Sequence, residues 1–213
     1  MNIPRILISI DLEELELTAN NNGQEMSLEE RQQISLDGLE KTITLLDKYQ
    51  VRATFFITSS WAQAYPEVVR QLTRKHEVAS HGAFDKEVLE QIIGNRLYGC
   101  RMGASIKPDY SSLRAAGYLY HSGGQQVRPM TIEGDCYEIY AESMPPLWIT
   151  KLFLGRQPVI SIRFHSWELS VHPISRATGP RLAERLDSVL GYLQRKGQFI
   201  PHIEWLQEQL TDE

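Results

Sequence analysis

The first apolar run of the chain, Ile6-Leu-Ile-Ser-Ile-Asp11-Leu-Glu13-Glu14, ends in acid. Side chains alternate along a strand, so Asp11 and Glu13 share one side and Leu12 takes the other. Two carboxylates brought together and desolvated repel each other unless a cation, a proton or a base compensates them. That is the signature of a site at a strand end. The plainer reading, a solvated charge run opening a loop, is adopted for Glu14 and Glu16 but not for Asp11. Further along, His81, Arg101 and His165 each close a predicted strand. Taken singly, His81 reads as a turn histidine, Arg101 as a surface charge and His165 as a core imidazole.

The elements that carry these residues alternate. Asn20 to Gly23 reads as a loop, and Ser27-Leu-Glu-Glu30 as a capping box opening a helix with Leu36, Leu39, Ile43 and Leu46 on one face. Val51–Thr58 is a predicted strand, Trp61–Lys75 a helix, and Glu77–Ser80 a strand that delivers His81-Gly82 to a turn. Asp85 can cap a short helix to Ile93. Then come a strand Leu97–Arg101, a helix Tyr110–Ala116 and strands Tyr118–Tyr120 and Cys136–Ala141. A helix from Pro145-Pro146 to Leu154, a strand Val159–His165, and a helix from Gly179-Pro180 with Leu182, Leu186, Leu190 and Leu193 inward follow, with Gly197 as its stop. Phe199-Ile200 and a helix Ile203–Leu210 close the series. Alternation of this kind implies a mostly parallel sheet. Seven or eight units suggest a closed or nearly closed (β/α)7–8 barrel occupying residues 1–213 as a single domain. The C-terminal strand ends of such a barrel share one rim, so Asp11, Glu13, His81, Arg101 and His165 are expected around one mouth.

Composition narrows the partners. The 213 residues are 42% hydrophobic with a formal net charge of −5, enough apolar content for a sizeable core and no basic stripe for nucleic acid or anionic membrane. Cys100 and Cys136 have no metal-type spacing and read as free thiols. A first strand beginning near Arg5, and no apolar run of about eighteen residues, predict a soluble, cytoplasmic protein without membrane insertion. Oligomeric state is not legible.

In these motifs the chain resembles the polysaccharide deacetylases of the NodB-homology, carbohydrate esterase 4-like type. The resemblance rests on Ser-Ile-Asp11-Leu-Glu13-Glu14, Ala53-Thr-Phe-Phe56, Glu77-Val-Ala-Ser-His81-Gly82, Gly99-Cys-Arg101, Ser112 to Tyr120, and Phe164-His165-Ser-Trp167-Glu168-Leu169. The acidic motif and the last segment look most like a branch with an Asp-x-Glu first motif. The resemblance implies a distorted barrel, a divalent metal (Zn²⁺ first, with Co²⁺, Ni²⁺ or Mn²⁺ as alternatives) and an acetylated sugar or oligosaccharide as substrate. It further implies that Asp11 is the catalytic base, Glu13 and His81 are metal ligands, Arg101 orients the base and His165 is the catalytic acid.

The chain departs from the family pattern in three places. Leu12 stands where most members carry a second aspartate. Asp85 stands where a second histidine is usual, and it reads equally as a third metal ligand or as a helix cap. No tryptophan follows His121-Ser122. Two other readings follow: a ureide or cyclic amide hydrolase on the same metal platform, and a sugar-binding homologue that has lost catalysis.

Overall fold

The computed structural model describes residues 3–15, 26–83, 86–103, 106–123, 129–134, 136–152, 157–171 and 178–211. A single sheet runs through them. The strands are β1 (Arg5–Leu12), β2 (Thr54–Ile57), β3 (Glu77–His81), β4 (Gly99–Arg101), β5 (Tyr120–Ser122), β6 (Met130–Glu133), β7 (Cys136–Ile139), β8 (Glu142–Ser143), β9 (Val159–His165) and β10 (Gln198–Phe199). Their order is β6-β7-β5-β4-β3-β2-β1-β9-β8, with β10 beside the start of β1. All neighbours are parallel except the β6–β7 hairpin. The sheet curls into a distorted barrel that stays open, because among the described residues β6 and β8 form its two edges.

The alternation of β1 sorts its side chains onto two faces. Ile6, Ile8, Ile10 and Leu12 are fully buried in the outer core cluster with Phe55, Ile57, Ile160, Ile162 and Phe164. Leu39 and Leu46 of α1 (Leu28–Lys48) and Leu186, Val189, Leu190 and Leu193 of α7 (Thr178–Leu193) fill that layer from the helix side. The opposite parity, Leu7, Ser9 and Asp11, lies on the interior face, where Leu7 meets Phe56, Ala79, Tyr120, Ile139, Ile200 and Trp205. Trp205 belongs to α8 (His202–Thr211). Gly99 leaves the space that the Tyr120 ring occupies, since a Cβ there would lie 2.1 Å from the ring.

The helices depart from expectation where proline intervenes. The predicted helix Trp61–Lys75 is two, α2 (Ser59–Ala64) and α3 (Pro66–Leu72), because Pro66 lacks an N–H and Tyr65 before it leaves the helical region at φ −130°, ψ 56°. Helix α4 (Lys86–Ile93) and α5 (Tyr110–Ala115) match the pattern, and α6 (Leu147–Leu152) accounts for the described part of the segment after Pro146. Strand β5 sits two residues later than Tyr118–Tyr120, after Gly117 turns the chain at φ 82°. The β6 strand, paired back onto β7 through Gly134, was not expected. No helix among the described residues is long and apolar enough to cross a membrane.

Candidate active site

Register decides which residues meet at the mouth. Asp11 lies opposite His165 of β9 and opposite Phe56 of β2, and His81 lies opposite Arg101. Parallel neighbours with these registers carry their interior side chains to one rim.

Arg101 is 1% exposed and Asp11 1% exposed, and Nη1 of the guanidinium donates to Asp11 Oδ1 at 2.5 Å. Three further bonds hold it: Nε donates to the Ser122 carbonyl at 2.8 Å, and Nη2 to Ser9 Oγ at 2.9 Å and to Ser122 Oγ at 2.8 Å. Its Cζ stands 4.0 Å over the Phe56 ring. A buried guanidinium held by four hydrogen bonds is fixed in one orientation, and so is the carboxylate it grips. Burial pushes the Asp11 carboxyl up, but Arg101, with His81 and His165 behind it, more than offsets this and holds it below the usual value.

The second Asp11 oxygen faces His165, whose Nε2 is 3.7 Å from Oδ2. The same Nε2 lies 3.5 Å from Glu13 Oε1, while Glu13 Oε2 is 3.5 Å from His81 Nε2. Glu13 thus stands between the two imidazoles. His165 is fixed from behind: Glu168 Oε2 accepts its backbone N–H at 2.8 Å and lies 3.5 Å from Nδ1, and Trp167 stacks on the ring at 4.8 Å. Burial depresses the His165 pKa, yet Glu168, Asp11 and Glu13 raise it above its ordinary value. The turn that follows His165 is clamped to α1, where Ser35 and Ser166 share a 2.8 Å hydrogen bond. A Cβ on Gly38 would sit 1.9 Å from the Ser166 carbonyl.

Among the described residues no cluster of three or more His, Cys, Asp or Glu is arranged to hold a metal ion, and Asp85, the expected third ligand, lies outside them. Glu13 and His81 nevertheless fit as two ligands. Two atoms each about 2.1 Å from one tetrahedral ion stand roughly 3.4 Å apart, which is close to the Glu13–His81 separation and equally to the Glu13–His165 one, so the spacing admits either imidazole beside Glu13.

Three residues that shape the site went unrecognised in the sequence. Ser9 is two positions before Asp11, so strand parity alone would have found it. Ser122 was hidden by the displaced β5 boundary. Glu14 is not a solvated charge: it accepts from Ser60 Oγ at 2.5 Å, Gln32 Nε2 at 3.2 Å and Thr58 Oγ1 at 3.4 Å, at the start of α2. Its carboxyl, raised by burial, is pulled below the usual range by the bonds from Ser60, Gln32 and Thr58. Glu16 lies outside the described residues. Cys100 and Cys136 are free and buried, and burial raises both thiols, Cys136 to about 11, so neither is a ready nucleophile.

An open parallel β/α barrel with a buried carboxylate–arginine pair and two imidazoles at its mouth defines the structural class. Residues 35–115 match the polysaccharide deacetylase family model, a span that includes His81 and Arg101 and stops short of the two flanking acid and histidine motifs. Over that span the chain is similar in sequence to the polysaccharide deacetylases, and over nearly its whole length it shares the fold of solved structures that carry that name. A Mycobacterium smegmatis protein provisionally assigned as a polysaccharide deacetylase superposes with a TM-score of 0.69 at 16% identity, covering 97% of this chain and 90% of that one. The peptidoglycan deacetylase PdaC of Bacillus subtilis gives 0.53 at 16% identity, over 99% and 93%. The allantoinase PuuE gives 0.70 at 14% identity, over 94% and 88%. No curated protein matches the chain in sequence.

Proposed function

We propose that the chain is a divalent-metal-dependent hydrolase that removes acetyl groups from N-acetylated, or O-acetylated, sugars or polysaccharide precursors. The observation that carries this reading is the ionised Asp11, locked by Arg101 on one oxygen and facing His165 with the other, beside a Glu13–His81 pair spaced as two ligands of one ion. Glu13 and His81 would hold the ion, with Asp85 as the third candidate. An ion there, Zn²⁺ first and Co²⁺, Ni²⁺ or Mn²⁺ as alternatives, supplies Lewis acidity toward the acyl oxygen and the attacking water.

The chain's own groups handle the protons. Asp11 Oδ2 accepts a proton from the water as its oxygen bonds to the acyl carbon. His165, whose pKa the carboxylates around it raise, gives a proton to the sugar nitrogen from Nε2 as the C–N bond breaks. Acetate and a free amine leave. Arg101 keeps Asp11 ionised and aimed, and Glu168 with Trp167 holds the His165 ring.

Acetate release from N-acetylglucosamine oligomers tests the reading, with protein stripped by chelator and reloaded with each metal. Release that needs the metal, together with a metal-dependent gain in thermal stability that Glu13→Gln and His81→Ala abolish, is the expected result. Allantoin belongs in the same panel, because the allantoinase neighbour shares the fold. Hydrolysis of allantoin alone would replace the deacetylase reading. Metal binding and turnover of neither substrate would leave a sugar-binding homologue.

A further inference from the structure

Arg163 is a second guanidinium in the mouth, and the hydrolytic chemistry gives it no task. It precedes His165 by two residues on β9, so it shares the interior face with His165 and lies in register with Ser9, the residue that Arg101 Nη2 grips. The outward residues of β9, Ile160, Ile162 and Phe164, are buried in the core, while Val159, Ser161, Arg163 and His165 are half-buried along the open side of the barrel. The side chain makes no hydrogen bond or ion pair among the described residues, and its Nε is buried without a partner. The neighbouring carboxylates are already engaged, Asp11 by Arg101 and Glu168 by His165. A guanidinium half-buried beside a second one, with Nε shielded and no protein acceptor among the described residues, gains from an anion that answers its charge.

We propose that Arg163 binds an oxyanion, a carboxylate or a phosphate, on the substrate, and that the chain therefore acts on charged sugars in preference to neutral ones. The planar fork suits a bidentate contact with either group. Its place one interior position below His165 sets the anion close to the acyl group being cleaved. The charge balance agrees. Asp11, Glu13 and Glu168 balance Arg101, Arg163 and a protonated His165, and a divalent ion at Glu13 and His81 would leave the mouth net positive. Burial and Arg101 both press the Arg163 charge downward, opposed by Asp11 and Glu168, as expected for a cation short of a counter-ion.

The inference rests on the deacetylase reading for the word sugar, so its test reads binding, which does not need turnover. Calorimetry on the metal-loaded protein would compare N-acetylglucosamine, its 6-phosphate and N-acetylglucosaminuronic acid, with wild type, Arg163→Gln and Arg163→Lys. Wild type should prefer at least one charged sugar by on the order of tenfold to a hundredfold, the scale of a charge-assisted hydrogen bond. The phosphate and uronate arms show which oxyanion is meant. Arg163→Gln should erase that preference and Arg163→Lys should restore part of it, with both variants checked for an unchanged melting transition before comparison. Preference without acetate release would keep the inference and remove the deacetylase reading. Equal affinity for charged and neutral sugars, no measurable binding of any of the three, or a preference that survives Arg163→Gln overturns the inference.

Discussion

Replacing Arg101 with methionine removes the counter-ion of a carboxylate that is 1% exposed while keeping a long side chain over Phe56. Truncating one partner of a buried ion pair costs about 3–5 kcal/mol, because the other charge stays behind uncompensated. For a chain of this length each kcal/mol lowers the melting temperature by roughly 2–4 °C, so a drop on the order of 6–20 °C is expected at pH 8. The pH dependence carries the sharper signal. In the wild type the folded Asp11 pKa lies below 3.8, so its stabilising contribution is present above that value and is lost as pH falls through the folded pKa. In the variant burial is no longer opposed by Arg101 and the folded pKa rises above the unfolded one. The variant then regains stability as pH falls and Asp11 takes up a proton. Urea unfolding of chelator-treated protein at pH 8 and pH 5 should show the gap between variant and wild type narrowing at pH 5. A gap below about 1 kcal/mol, or one that is the same at both pH values, refutes the view that Arg101 holds Asp11 charged. In kinetics the acid limb of the pH–rate profile should move upward in the same variant.

Asp11→Asn keeps shape and removes the proton acceptor, so acetate release should fall about a hundredfold or more at a temperature where the variant is folded, while the melting transition drops as for Arg101→Met because Arg101 is left buried without its counter-ion; near-normal turnover would place the base elsewhere. His165→Ala should retain metal by elemental analysis and lose more activity on an N-acetyl sugar than on an activated ester, whose leaving group needs no proton, whereas loss of the metal would make His165 a ligand. Glu77, partly buried at the opposite end of the barrel and bonded by Tyr120, Thr54 and the Ile203 amide, is pushed by desolvation up to about 7 from 4.5. Between those values the unfolded chain ionises while the folded one keeps its proton, so folding stability should decline as pH rises from about 4.5 to 7, by on the order of 3 kcal/mol. Glu77→Gln should flatten that slope in denaturant titrations, and an unchanged slope would show that Glu77 is ionised in the folded state.

Strand and helix alternation, the capping box at Ser27 and Glu30, and the parity of Asp11 with Glu13 were legible in the chain because each depends on neighbours within a few residues. The meeting of Asp11, His81, Arg101 and His165 at one mouth was also legible, since every parallel strand in such a sheet ends on the same side. Local pattern could not supply what depends on register and on contacts between distant segments. Ser122 reaches the Arg101 fork only because β5 starts two residues later than propensity suggests, and Glu14 is bound because the start of α2 and Gln32 of α1 meet it. His121, a polar residue inside β5, is buried because Glu138 accepts from its Nδ1 at 2.6 Å and its Nε2 accepts the Met102 amide at 3.1 Å. Arg163 shows the same division. Its parity with His165 is written in the sequence, but its lack of a counter-ion among the described residues is a property of the assembled mouth, where Asp11 and Glu168 are already held by Arg101 and His165.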